Sequence, residues 1–370
     1  MELLSQYLIP FLVVLTVLVF VHEWGHYIIA RWNGVRIEVF SIGFGPEVFG
    51  WTNKAGTRWK FSAIPLGGYV KMFGDANAAS QPDAEGAQQM SAEDRAVAFP
   101  HKRLGQRAAI VAAGPIANFL FAIIVLAGLF MISGQPFTAP VVDQVREQSA
   151  AAEAGLQPGD RIVELDGKSI ARFEELQRIV RLAPGETMTM VVQRDGERVE
   201  ITATPERSTV TDSVGNEHTI GLLGVTSTGM EYKRFGPFRA VVQAGEETYA
   251  LTTGTLQAVG QIIAGSRSTD ELGGPIRIAQ LSGQVADTGL TNVVWFMAVL
   301  SINLGLINLF PVPMLDGGHL MFYAIEAVRG RPLGERAQEY GFRIGLALVL
   351  TLMLFVTWND LVQLQVFSYF

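Results

Sequence analysis

Val21-His22-Glu23-Trp24-Gly25-His26-Tyr27 sets the pattern H-E-x-x-H inside a run otherwise built from Leu, Val, Ile and Phe. On an α-helix, residues four apart lie about 40° apart around the axis and one turn along it, so the His22 and His26 imidazoles reach a single cation, with Glu23 beside it. Two neutral imidazoles and one further ligand leave zinc an open position for water, which the metal acidifies and a nearby carboxylate deprotonates. This is hydrolase chemistry. The plain alternative is a pair of satisfied core histidines, but ionisable groups at membrane depth are costly and mark function.

The composition around this stretch supports a membrane setting. Of 370 residues, 49% are hydrophobic and the mean hydropathy is +0.28, too apolar for an ordinary soluble enzyme. A net charge of −7 and a pI near 5.4 leave no basic footprint, so nucleic acid is excluded as an expected partner. The chain has no cysteine, which removes disulfides and thiolate-held metal and leaves any cation to histidine and carboxylate.

Working outward, residues 1–34 carry a first transmembrane helix, apolar over 7–30 and read as a retained span rather than a cleaved signal. Arg31 and Arg36 follow it, and Lys102 and Arg103 precede, and Arg107 opens, a second span at 107–133. Basic residues flank the cytoplasmic ends of spans, so the loop between the two is expected in the cytoplasm. Within that loop, 35–74 reads as a membrane-associated β region of short antiparallel strands around an Asn53 to Gly56 turn, and 75–106 as a mobile segment. His101 there reads as a solvated side chain. In the second span, Ala113-Gly114-Pro115-Ile116-Ala117-Asn118 puts small residues and an amide among apolar ones, so Asn118 is either a packing device or faces the metal cleft.

Residues 138–205 form a soluble module: a turn and short strand at 154–167, a helix at 173–182, and strands at 187–194 and 198–204 joined by Asp195-Gly196. Its Leu156-Gln157-Pro158-Gly159-Asp160-Arg161-Ile162 resembles a PDZ domain of the bacterial, circularly permuted kind, and PDZ domains take extended peptides at a strand edge. Residues 206–290 read as an extracytoplasmic connector with an amphipathic helix at 238–265. A third span with a Leu-Asp-Gly motif occupies 291–320, and a fourth 341–367. The basic residues Arg329, Arg331, Arg336 and Arg343 between them again mark the cytoplasmic side. The expected fold class is thus a polytopic α-helical membrane protein with four transmembrane helices, a small β region and an inserted α+β PDZ domain.

A tetrahedral zinc needs a third protein ligand. Asp316, in a Pro-broken, Gly-ended segment at the depth of His22 and His26, is the best carboxylate for it, with Glu326 as competitor. Leu165-Asp166-Gly167 repeats the tripeptide in the soluble module, where a simple turn accounts for it.

His-Glu-Trp-Gly-His, Gly-Pro-Ile-Ala-Asn, the PDZ-like module and Asn308-Leu309-Phe310-Pro311-Val312-Pro313-Met314-Leu315-Asp316-Gly317-Gly318 together resemble the site-2 protease family, closest to its bacterial branch that regulates sigma-E. The resemblance spans nearly the whole chain. It implies an intramembrane metalloprotease with one Zn2+, held by His22, His26 and Asp316, with Glu23 as general base. Asn308 corresponds to an active-site Asn, and Gly67, Gly68, Tyr69 and Val70 to a strand that receives substrate; Asn118 joins them as a further substrate-binding candidate. The implied partners are single-span membrane proteins, notably anti-sigma factors after a prior cleavage, and membrane lipid. The implied location is the bacterial inner membrane with the PDZ domain periplasmic. One departure stands out: better-known members carry two PDZ domains, and this chain shows one clear copy. The rival readings are a PDZ-bearing scaffold or chaperone with a structural metal, which leaves Glu23 unexplained, and a metal transporter, which calls for ionisable residues in spans that have none.

Overall fold

The computed structural model describes residues 4–75, 90–211, 217–265, 269 and 272–364. Among the described residues, four helices are long and apolar enough to cross a bilayer: 6–32, 104–132, 290–308 and 336–363. The chain divides into two compact units, one formed by 1–128, 241–257 and 268–370, the other by 129–240 and 258–267.

In the first unit, α1 (Ile9–Trp32) starts with Pro10 in its first turn, where the missing N–H costs nothing, and ends at Asn33. The Asn33 amide donates to the Ile29 carbonyl. Strands β1 (Ile37–Thr52) and β2 (Arg58–Met72) are joined at Asn53, whose Oδ1 accepts from the Ala55 and Thr57 amides. The short strands expected here are in fact two long ones. β2 bends at Gly67 and folds back, so that Phe40 of β1 pairs with Trp59 on one side and Val70 on the other. The 37–42 segment is thus central and Gly68–Met72 forms an edge. Underneath, Phe40, Val70, Met72, Tyr27, Ala30 and Ile110 share one core.

Residues 76–89, part of the stretch expected to be mobile, lie outside the described residues. Residues 90–106 hold α2 (Ala92–Val97), capped by Ser91, and a 3-10 turn that buries Phe99. Helix α3 (Leu104–Ile132) carries Pro115 in its interior and has residues in both units.

The second unit contains β3 (Gln135–Thr138), β4 (Gln144–Val145), α4 (Ala150–Glu153), β5 (Arg161–Leu165), β6 (Lys168–Ser169), α5 (Phe173–Leu182), β7 (Met188–Arg194) and β8 (Glu197–Ala203). A four-stranded sheet of order β6-β5-β7-β8 packs its inner face on α5 through Leu176, Val180, Met188, Met190 and Val192. The unit does not stop at 205. β9 (Glu206–Thr211) and β10 (Glu217–Leu222) form a hairpin, Leu223 is buried in the module's core, and β11 (Val225–Thr226) and β12 (Met230–Lys233) pair back onto β4 and β3. Polar composition hid this hairpin, since one of its faces stays in solvent. Among the described residues, 206–233 therefore complete the first module and do not build a second one.

Helix α6 (Pro237–Ile263) follows, with residues in both units, and then α7 (Pro275–Asp287), α8 (Leu290–Asn308), α9 (Asp316–Arg329) and α10 (Glu335–Gln363), which belong to the first. The third span expected over 291–320 is two helices. α8 ends at Asn308, Pro311 and Pro313 cannot donate to a continuing ladder, and α9 restarts at Asp316. The N-terminus of α7 is fastened to α10 by Asp360, whose carboxylate accepts from the Gly274, Ile276 and Arg277 amides.

Candidate metal centre

One stripe of α1 carries His22 and His26, and the restart of the chain at α9 carries Asp316. Their polar atoms converge: His22 Nε2 lies 3.2 Å from His26 Nε2 and 3.1 Å from Asp316 Oδ2, and His26 Nε2 lies 3.5 Å from the same oxygen. Donors around a tetrahedral zinc with bonds of about 2.0–2.1 Å stand about 3.3 Å apart, so the triangle has the right size.

Proton placement supports the same fit. His26 Nδ1 is 2.9 Å from the Ile110 carbonyl, which can only accept, so Nδ1 carries the proton and Nε2 turns its lone pair to the centre. Asp316 Oδ2 is buried and finds no hydrogen-bond donor. Lone pairs facing one another this closely call for a cation between them. Among the described residues, this trio is the only His/Cys/Asp/Glu group placed to hold a metal.

The centre opens on a cavity of about 240 Å³ lined by His22, Glu23, His26, Gly68, Tyr69, Val70, Met72, Val111, Asn308, Met314, Asp316 and His319. Glu23 lines the same cavity, and its carboxylate takes a hydrogen bond from the Val70 backbone. That contact places the edge strand against the carboxylate. A side chain at Gly68 would begin 2.7 Å from the Ser41 carbonyl oxygen and 3.2 Å from Glu23 Cγ, so only glycine lets the strand come so close. Asn308, at the end of α8, anchors its amide on the Leu304 carbonyl and faces the cavity. Met314 holds a φ of +90°, a region a bulky side chain rarely enters, immediately before the Asp316 restart.

Of the residues singled out from sequence, His22, Glu23, His26, Asp316, Asn308, Gly68, Tyr69 and Val70 line this one cavity. Gly67 lies just beyond it, at the bend of β2, with φ +96°. Asn118 is wholly buried, is not among the residues lining the cavity, and sets its amide 3.1 Å from His22 Nδ1. Glu326 is not a fourth candidate ligand. It pairs with Arg107, tying the last turn of α9 to the first of α3.

The place of two residues at the site escaped the sequence reading. His319, one turn after Asp316 in Leu-Asp-Gly-Gly-His, lines the cavity, and its spacing was the available signal. Gly114 is the other: a Cβ there would fall 2.3 Å from His26 Nε2 and 2.9 Å from His22 Cε1, so α3 leaves room for both rings by having no side chain at that position.

The chain matches Peptidase family M50 over residues 10–352. It is 51% identical over 365 residues to a candidate zinc metalloprotease of Agrobacterium fabrum, covering 98% of this chain and 97% of that one. It is 39% identical over 385 residues to metalloprotease MmpA of Caulobacter vibrioides, covering 98% and 97%. With the regulator of sigma-E protease RseP of Escherichia coli it shares 34% identity over 458 aligned positions, covering 96% and 98%; as this chain has 370 residues, that relative carries a segment this one lacks. A solved PDZ domain of an SdrC-like protein from Listeria monocytogenes is similar at 19% identity over 25% of this chain and 90% of that domain, with a TM-score of 0.20. The match across nearly the whole chain identifies it as a member of peptidase family M50, a metalloendopeptidase of the site-2 protease type.

Proposed function

We propose that this protein is an intramembrane zinc protease of the bacterial inner membrane that hydrolyses a peptide bond within or near the transmembrane segment of single-span proteins. Anti-sigma factors already trimmed by a first cleavage are the substrate class that its likeness to the sigma-E regulator favours. The observation that carries the reading is the triangle of His22, His26 and Asp316 with Glu23 and an open strand edge in the same cavity. His22, His26 and Asp316 hold the zinc. When bound, zinc polarises the scissile carbonyl and acidifies the attacking water.

The remaining work falls to the chain. Glu23 accepts the proton of the attacking water and passes it to the departing amine nitrogen as the C–N bond breaks. A helical substrate hides its carbonyls in its own hydrogen bonds, so it must be extended before attack. The Gly68–Val70 edge supplies replacement partners for the extended chain. Asn308 contributes a polar side chain on the α8 side of the cavity. The periplasmic module acts as a filter on which substrates enter and contributes no group to the chemistry.

The test is co-expression of tagged single-span proteins with the intact enzyme or with Glu23→Gln. Fragments seen only with the intact enzyme support the reading. A zinc-loaded enzyme that yields none from any trimmed single-span substrate overturns it and returns the choice to a scaffold with a structural metal.

A further inference from the structure

Ile110, Gly114 and Asn118 follow one another at intervals of four along α3 and form a single stripe. Each meets the histidine pair differently. The Ile110 carbonyl takes His26 Nδ1, Gly114 leaves the space both rings occupy, and the Asn118 amide stands 3.1 Å from His22 Nδ1.

His26 is therefore oriented by backbone, whereas His22 depends on a side chain. With His22 Nε2 turned to the centre, its Nδ1 carries the proton and needs an acceptor. The Asn118 carboxamide offers one. Its Oδ1 is buried without a hydrogen-bond partner, and a half-turn about the last side-chain torsion exchanges Oδ1 with Nδ2 at the ring. That exchange gives the His22 proton its acceptor and Oδ1 its donor, and a buried unpaired amide oxygen is otherwise costly. The amide is wholly buried and does not line the cavity, while the residue's backbone carbonyl accepts from Ser301 Oγ at 2.9 Å and its Cβ faces Gly305.

We propose that Asn118 is a positioning residue for the metal, holding His22 in its Nδ1-protonated tautomer by accepting that proton through Oδ1. The proposal rests on the zinc reading above and extends it to a residue that touches neither metal nor substrate.

The experiment uses the full-length protein in detergent, loaded with zinc and then equilibrated with graded chelator. Asn118→Leu keeps the shape and removes the acceptor, and should release zinc at about 10–100-fold lower chelator activity than the parent, the range seen when such outer partners are lost. Asn118→Asp restores an acceptor and should hold zinc close to the parent. Ser301→Ala, which disturbs only the helix contact, should leave release unchanged, and in cobalt-substituted samples the visible bands should move in Asn118→Leu alone. Equal release by Asn118→Leu and the parent, or Asn118→Asp as weak as Asn118→Leu, overturns the proposal. Should Asn118→Leu not fold, nitrogen NMR of the zinc-loaded parent decides: His22 must show a protonated Nδ1, and a bare Nδ1 refutes the role. A parent that takes up no zinc at all sinks the metal reading itself and is distinguishable from every other outcome.

Discussion

The tripeptide Leu-Asp-Gly occurs twice, and its two aspartates share nothing but sequence. Asp166 sits in the exposed turn between β5 and β6 at φ +47°, where its Oδ1 accepts from the Thr189 amide at 2.8 Å. Asp316 opens α9 after a Pro-broken stretch and meets two imidazoles at 3.1 and 3.5 Å. A short motif thus states only what a residue could do. The backbone around it decides which neighbours it gets: a carboxylate among amides is a turn former, while one between imidazoles stands where a metal ligand would.

The sharpest break in this comparison is substitution at both positions. Asp316→Ala should strip the zinc and abolish cleavage, while Asp166→Ala should leave both untouched; metal analysis showing unchanged zinc in Asp316→Ala would overturn the ligand assignment. Glu23→Gln should separate the two losses, keeping zinc while lowering turnover by about 10²–10⁴-fold, the usual worth of a positioned base.

Next in size is the strand edge. Proline at Val70 removes the amide that faces Glu23 and interrupts the edge, and proline at Tyr69 does the latter. Cleavage should fall by about 3- to 10-fold for each partner bond lost, with zinc content intact. Undiminished cleavage in both variants would remove the substrate-pairing role.

The module offers a contrasting case, since its loss should leave the chemistry in place. The Ala139 amide donates to the Gly229 carbonyl at 2.8 Å, so residues 140–228 can be excised and the ends joined by a short turn. A cut ending at 205 would instead strand Leu223 and the β9–β10 hairpin outside their core. The excised enzyme should still cleave a trimmed substrate and gain cleavage of an untrimmed one. Loss of cleavage of the trimmed substrate with normal zinc and insertion would make the module part of the working enzyme.

Smaller still is Asp160. It is buried, and burial by itself raises its carboxyl pKa, but the two-pronged Arg194 guanidinium and the Gln157 amide outweigh that and hold it below the usual carboxylate range. A carboxyl depressed on folding adds stability that is complete above the unfolded value of about 3.9 and is lost as pH falls through the folded one. Hydrogen exchange of the 155–203 amides in the full chain should therefore rise below about pH 4, and Asp160→Asn should cost about 1–3 kcal/mol at neutral pH, with zinc unchanged. Exchange that is flat down to the acid limit in the parent would contradict this account. The least effect belongs to Asp166→Asn, which tolerates the same turn and should cost under about 0.5 kcal/mol by the same measurement.

The features legible in the sequence are those whose cause lies within a few residues. Hydropathy over about twenty positions marks the four apolar helices, the four-residue spacing puts His22 and His26 on one stripe, and Asn53 and Asp195-Gly196 announce their turns. The geometry that joins these residues depends on segments far apart in the chain. Asp316 reaches the histidines because α8 stops at Asn308 and the chain restarts at the required depth. The edge beside Glu23 exists because β2 folds back across β1 at Gly67. Gly114 and Asn118 are a gap and an amide until α3 packs on α1, and the module runs to β12 because a hairpin with one solvated face completes its core. Local patterns record which face of an element is apolar; which partner that face meets, and at what separation, is settled only when all the elements are packed together.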